Sequence, residues 1–274
     1  MNQIEILYPH SSIAIVSALF LVMVLVNELG FWLGRFVQEH TNSELKALTG
    51  SIQASMLGLL ALLLGFTFSM AMQRYDSRSM ALIEEANAID STMLRVQLLP
   101  EQWRGPAREL LHEYIDLRIA AGKTDITQTA ERTLENRKIS ELQHALWSLA
   151  VQATAEDPRA VTTGAFTTSL NNVIDTQGKR NALLRMHVPE SVLLLLFVVF
   201  VASGGMMGYS SGLTGKRIVM PIVLVSLLIT LIVFLIIDLD RPRRGLIQVN
   251  QDAMLDLRAS EESILGSERK QLPE

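Results

Sequence analysis

Residues 50–72 read GSIQASMLGLLALLLGFTFSMAM, and residues 73–99 continue as QRYDSRSMALIEEANAIDSTMLRVQLL, with no glycine or proline between Phe66 and Leu99. The first stretch has the roughly 20 mostly apolar residues that an α-helix needs to cross a hydrocarbon core. The second carries Arg74, Asp76, Arg78, Glu84 and Glu85, so it belongs in water, but nothing in it stops a helix before Pro100. One helix is therefore expected from Ser51 to Leu99, about 73 Å long at about 1.5 Å per residue. Along it runs a seam at 3–4 spacing: Gly58, Ala61, Gly65, Phe68, Met72, Tyr75, Ser79, Leu82, Ala86, Ile89, Met93 and Val96. This is a coiled-coil-type pattern, weakened at Tyr75 and Ser79.

Outward from this helix, three more apolar runs are long enough to span: Ile13–Phe36, Val192–Tyr209 and Ile218–Ile237, the last without a charge. Only Glu5 is charged before Ile13, and Asn27-Glu28 follow the apolar run, so the first segment reads as a retained span and not a cleaved signal. Both termini and the central region must share one side. Their flanks hold Arg74, Arg78, Lys179, Arg180, Arg185, Arg241, Arg243 and Arg244, against Arg35, Lys46, Lys216 and Arg217 opposite. The excess puts that side in the cytoplasm and the chain in the inner (plasma) membrane.

The expected fold class is therefore an all-α membrane protein with four transmembrane helices, a helical cytoplasmic domain, and the second helix extended into the cytoplasm. Its parts are a first helix pair over 1–72, the cytoplasmic domain over 73–189, a second pair over 190–240, and over 241–274 a hinge, a short helix and a polar tail. Helices are expected at Glu101–Ala121, Thr127–Ala155 and Ala160–His187, punctuated by Asp157-Pro158 and Pro189, with Gly122–Asp125 as the main internal loop. The tail after Ser260 has a disordered composition.

Of 274 residues, 49% are hydrophobic and 6% aromatic, and mean hydropathy is +0.28, a membrane composition. Net charge is −4, and residues 73–189 carry 14 Lys/Arg against 15 Asp/Glu. No basic surface exists for nucleic acid. Cysteine is absent, which removes disulfides, thiolate metal sites and cysteine nucleophiles. Gly208-Tyr209-Ser210-Ser211-Gly212 matches G-x-S-x-G, but an apolar membrane helix precedes it where a nucleophile elbow needs a strand. Gly204, Gly208 and Gly212 are better read as a four-residue spacing that lets two helix backbones approach. His112, His144 and His187 lack paired ligand spacing, and no P-loop or dinucleotide fingerprint is present, so neither an enzyme nor a cofactor is expected.

The informative polar residues border the membrane. On the second span Ser51, Ser55, Gly58, Leu62, Gly65, Ser69 and Met72 share one face, and Leu57, Leu60 and Leu64 the other. A small, weakly polar stripe suits tight helix packing or the wall of a narrow pore. Glu28 is either an ion-pathway carboxylate or a residue of the outer interface. Asp238-Leu239-Asp240-Arg241-Pro242-Arg243-Arg244-Gly245 reads as a charged hinge at the membrane surface, whose acids pair with the arginines or collect cations.

Three segments in this order, GLLALLLGFTFSMA at 58–71, EEANAI at 84–89 and DLDRP at 238–242, resemble the bestrophin-like family of bacterial and plant membrane proteins over nearly the whole chain. Bestrophins are pentameric anion channels whose second helix lines the pore and continues into the cytoplasm. The resemblance implies a homo-oligomer of this kind among membrane lipids, passing small inorganic ions. The chain differs from true bestrophins in lacking a run of consecutive acidic residues for a calcium clasp after the last span. The expectation is an ion channel or channel-like pore lined by Ser55, Gly58, Leu62, Gly65, Phe66 and Ser69, with Glu28, Asp238, Asp240 and Arg241 on the ion pathway or at its interface. The competing expectation is a non-conducting scaffold or signalling protein.

Overall fold

Hydropathy and helical periodicity set the architecture of the computed structural model, which describes residues 11–123, 129–215, 217, 219–242 and 245–271. Eight α-helices follow one another: α1 Ser12–Val37, α2 Ser43–Arg95, α3 Glu101–Lys123, α4 Thr129–Glu156, α5 Thr163–Leu184, α6 Glu190–Thr214, α7 Val219–Asp240 and α8 Asp252–Gln271. Among the described residues all regular structure is helical. Helices α1, α2, α6 and α7 are long and apolar enough to cross a membrane, and the protein is a helical membrane protein.

The ends of the elements have local causes. The Ser11 hydroxyl accepts the Ala14 N–H at 3.1 Å and caps α1; the Asn42 side chain accepts the Leu45 N–H at 3.0 Å at the start of α2. Gly215, with φ of +69°, stops α6 in the left-handed conformation that favours glycine. Helix α2 is unbroken over 53 residues, about 80 Å, and tightens into a short 3-10 turn at Val96–Leu98 before Pro100. It starts eight residues earlier than the apolar run suggested. The polar tail after Ser260 differs more from expectation: α8, the expected short helix, runs on through Gln271, and Glu261 is buried. Of the expected 122–125 loop, Gly122 and Lys123 instead end α3, and Thr124 and Asp125, like Lys216, Arg243 and Arg244, lie outside the described residues.

The chain divides into two compact units. One contains α1, α2 up to Arg74, α6, α7 and residues 245–247. Its tightest contact is α1 on α6, where glycines replace side chains on both helices. A Cβ at Gly30 or Gly34 would overlap the carbonyl oxygen of Gly205 or Tyr209, and one at Gly208 or Gly212 that of Asn27 or Phe31. The expected close approach at Gly208 and Gly212 is present, and α1 answers it with Gly30 and Gly34. The Asn27 amide crosses the seam and donates to the Gly204 carbonyl at 3.0 Å.

The other unit contains α2 from Tyr75, then α3, α4, α5 and α8. Its core joins Leu82, Ile89 and Met93 of α2 to Leu111 and Ile115 of α3, Leu146 of α4, Phe166 and Leu170 of α5, and Met254 of α8. Arg78 is buried and donates through Nε to the Leu183 carbonyl at 3.3 Å and through Nη2 to that of Met186 at 2.5 Å. It thus satisfies carbonyls at the C-terminal end of α5, where a cation also meets the negative end of the helix dipole.

Candidate functional site

Helix α2 has two faces in its apolar part. Leu60, Leu64, Thr67 and Ala71 are buried, whereas Ser55, Gly58, Leu62, Gly65, Phe66 and Ser69 are exposed on the opposite side. An added Cβ at Gly58 or Gly65 would meet nothing within 4 Å. Among the described residues, nothing packs on these two glycines. Its hydroxyls are only weakly polar: Ser55 Oγ donates to the Ser51 carbonyl at 3.0 Å, and Ser69 Oγ accepts from Gln73 Nε2 at 3.4 Å.

The seam read from sequence does not stay on one face. Gly58, Ala61, Gly65, Phe68 and Met72 are exposed, while Leu82, Ala86, Ile89, Met93 and Val96 are buried. Geometry explains the change. From Gly58 to Val96 the seam takes eleven steps over 38 residues, which turn a straight helix by about 3,800°, about 160° short of eleven full turns. Without supercoiling the pattern crosses the helix. The face that does continue the exposed stripe is Asp76, Met80, Ile83, Asn87 and Leu94, all exposed.

Glu28 is half-exposed and paired. Its carboxylate takes a hydrogen bond from Trp32 Nε1 at 3.0 Å and an ion pair from Arg217, which precedes α7. The Arg217 guanidinium also lies 4.9 Å from the centre of the Phe31 ring.

In the DLDRP segment, read from sequence as a charged hinge at the membrane surface, Asp238, Asp240 and Arg241 are buried. The Asp240 carboxylate receives the Val188 N–H at 3.0 Å through both oxygens, just before α6 begins, and His187 Nδ1 lies 3.9 Å from it. The Asp238 carboxylate receives the Ile247 N–H at 2.9 Å. Gly245 is glycine because a Cβ there would come within 2.6 Å of the Asp238 carboxyl. Both acids thus hold backbone at the end of α7. Among the described residues no group of three His, Asp or Glu side chains could hold a metal ion.

Sequence reading missed the most buried charge cluster. Glu85 is fully buried between two guanidiniums: Arg118 Nε at 2.5 Å and Nη2 at 2.9 Å, and Arg180 Nη1 at 2.7 Å. Arg180 Nη2 reaches Gln251 Oε1 at 3.3 Å, so α2, α3, α5 and the segment before α8 meet on one carboxylate. Burial pushes the Glu85 carboxyl up, but Arg118 and Arg180 together outweigh it and hold it below the usual carboxylate range. Burial likewise works against the Arg118 charge, and the Glu85 carboxylate outweighs it, holding the guanidinium above its ordinary value. A signal was present: Glu85 lies three residues after Leu82 and four before Ile89, on the buried side of α2.

Comparison with known proteins places the fold. The Bestrophin-like domain family matches residues 20–254. Solved structures of a bacterial bestrophin homologue from Klebsiella pneumoniae, in single-residue variants, are similar. One has 17% identity and a TM-score of 0.66, covering 92% of this chain and 99% of the other. A second has 16% identity and a TM-score of 0.66, covering 89% and 98%. A variant described only as a membrane protein has 14% identity and a TM-score of 0.66, covering 92% and 99%. No curated protein matches the chain.

Proposed function

This chain belongs to the bestrophin-like family, and from that premise we propose that it is a homo-oligomeric ion channel or channel-like pore, with one α2 from each subunit around a central axis. The observation that carries this reading is the exposed stripe of α2, whose glycines Gly58 and Gly65 have open space around them among the described residues. A single four-helix unit has little room for a water path, whereas rotational symmetry creates one on its axis. Ser55, Leu62 and Ser69 are seven residues apart and drift by only about 20° per step, so a ring of α2 helices presents them as layers. Leu62, close to Phe66, is the apolar constriction that stops flow by dewetting. Small inorganic ions are the permeant species. Glu28 with Arg217 then serves as an interfacial ion pair, and Asp238, Asp240 and Arg241 as anchors of the α6 and α7 ends.

Leu62→Ser is expected to raise basal ion flux through purified protein in liposomes by roughly tenfold, equivalent to ~1.4 kcal/mol off the barrier. Ser69→Phe should lower it, with the oligomer intact by light scattering in both variants. If neither wild type nor Leu62→Ser passes any small ion across a range of voltage, pH and calcium, the pore reading fails and a non-conducting scaffold replaces it.

The arginine asymmetry places the termini and the α3–α5 region in the cytoplasm. With no native cysteine to interfere, Ser43→Cys and Ser140→Cys, both at exposed positions, give a direct check with an impermeant thiol reagent on intact cells. Ser43→Cys should label and Ser140→Cys should not. The reverse pattern would refute the orientation.

A further inference from the structure

Helix α8 packs chiefly on α3, with Met254 and Leu257 in the core and one guanidinium beside them. Arg258 Nε donates to Asp116 Oδ1 at 2.6 Å and Nη2 to Asp116 Oδ2 at 3.3 Å, and Nη2 lies 3.4 Å from Glu262 Oε1 on its own helix. The remaining nitrogen, Nη1, lies 3.3 Å from His112 Nδ1, one turn before Asp116 on α3. A guanidinium only donates, so Nδ1 is the acceptor and the ring carries its single hydrogen on Nε2. That Nε2 is buried and has no partner among the described residues. The ring is therefore neutral, and the nitrogen left to take a second proton is the one that Arg258 already bonds.

We propose that His112 is an acid-sensitive latch: α8 stays seated on α3 while the ring is neutral, and protonation of Nδ1 releases it. The added proton points an N–H at the Arg258 N–H, so the hydrogen bond is lost and two like charges face each other across the α3–α8 contact. The charges that act most on the ring are Arg258 and Glu262 from α8, with Arg108 and Asp116 from α3, one turn to either side. Helix α4 and the Val96–Leu98 turn, which also pack on α3, supply none of these four, and Glu261 is a further carboxylate buried on α8. Asp116 already takes two bonds from Arg258. Burial pushes the imidazole below its ordinary value, Arg258 and Arg108 push the same way, and Asp116 and Glu262 oppose them without reversing the shift. Once α8 is released the ring protonates near its ordinary value of about 6.5, so the released state binds more protons and is favoured as pH falls through that value. The latch lies within the unit built from α2 to α5 and α8, and it holds whether or not α2 lines a pore.

The test is hydrogen exchange of full-length protein in detergent, with the protection of each α8 amide corrected for the intrinsic exchange rate at each pH. Between about pH 7.5 and about pH 5.5 that protection should fall by up to about tenfold, the effect of one proton, while α5 amides in the same unit keep theirs. His112→Asn and His112→Gln keep an acceptor for Arg258 but take no proton, so in each of them α8 protection should be flat over that range. Arg258→Gln removes the opposing charge and should also flatten the slope, starting from lower protection at neutral pH. A flat wild type, a slope of wild-type size in either His112 variant, or an equal loss of protection in α5 would overturn the latch.

Discussion

Gly208→Ala should cost this protein more stability than almost any other single methyl group. The added carbon would overlap the Asn27 carbonyl oxygen and lie 2.8 Å from its carbon and 3.0 Å from the Phe31 nitrogen. These are backbone atoms of α1, and no side-chain rotation relieves them. Helix α1 must move away from α6, which also opens the contacts at Gly30, Gly34 and Gly212 and the Asn27 bond to Gly204. Overpacking of this kind typically costs about 1–3 kcal/mol, and backbone-to-backbone contacts belong at or above the top of that range. Gly58→Ala is the matched control. It adds the same methyl to another membrane helix, where nothing lies within 4 Å. In a monomer it should be neutral or stabilising by up to ~1 kcal/mol through helix propensity. Thermal unfolding in detergent, with recovery of monodisperse protein, separates the two. Gly208→Ala melting with the wild type would refute the close α1–α6 packing.

Glu85→Ala should be comparably damaging, for an electrostatic reason. It leaves the Arg118 and Arg180 guanidiniums buried near each other without their shared carboxylate. Removing one member of a buried ion cluster typically costs about 3–5 kcal/mol, because the remaining charge has lost both water and its partner. Replacing all three, as Glu85→Leu with Arg118→Met and Arg180→Met, should recover much of the loss, since no uncompensated charge remains. The same cluster sets an acid limit. The carboxyl of Glu85 is held below its unfolded value, so its contribution is complete above about pH 4.3 and is lost as pH falls through the lower folded value. Wild-type unfolding should therefore steepen below about pH 4. Glu85→Gln, less stable throughout, should show a shallower acid limb. An acid limb of wild-type steepness in Glu85→Gln would assign the acid sensitivity to other carboxylates.

What could be read from the chain alone was whatever depends on local hydropathy and helical period. The four spans, the unbroken α2, the two faces of its apolar half and the glycine spacing on α6 all follow from residues within a few turns of one another. Pairings that join distant segments were not legible. Glu85 meets Arg118 and Arg180, 33 and 95 residues away, and Asp240 meets Val188, 52 residues away. Nothing in the period of one helix says which face of another it will meet, so the DLDRP acids read as a surface hinge when they are buried acceptors of backbone N–H groups. The tail after Ser260 read as disordered from its polar composition, yet α8 continues through it to Gln271 and Glu261 is buried, which depends on neighbours distant in sequence. The α2 seam changes face within the chain for a related reason. A heptad pattern holds one face only if a partner helix supercoils with it, and whether such a partner exists is a property of the packed structure.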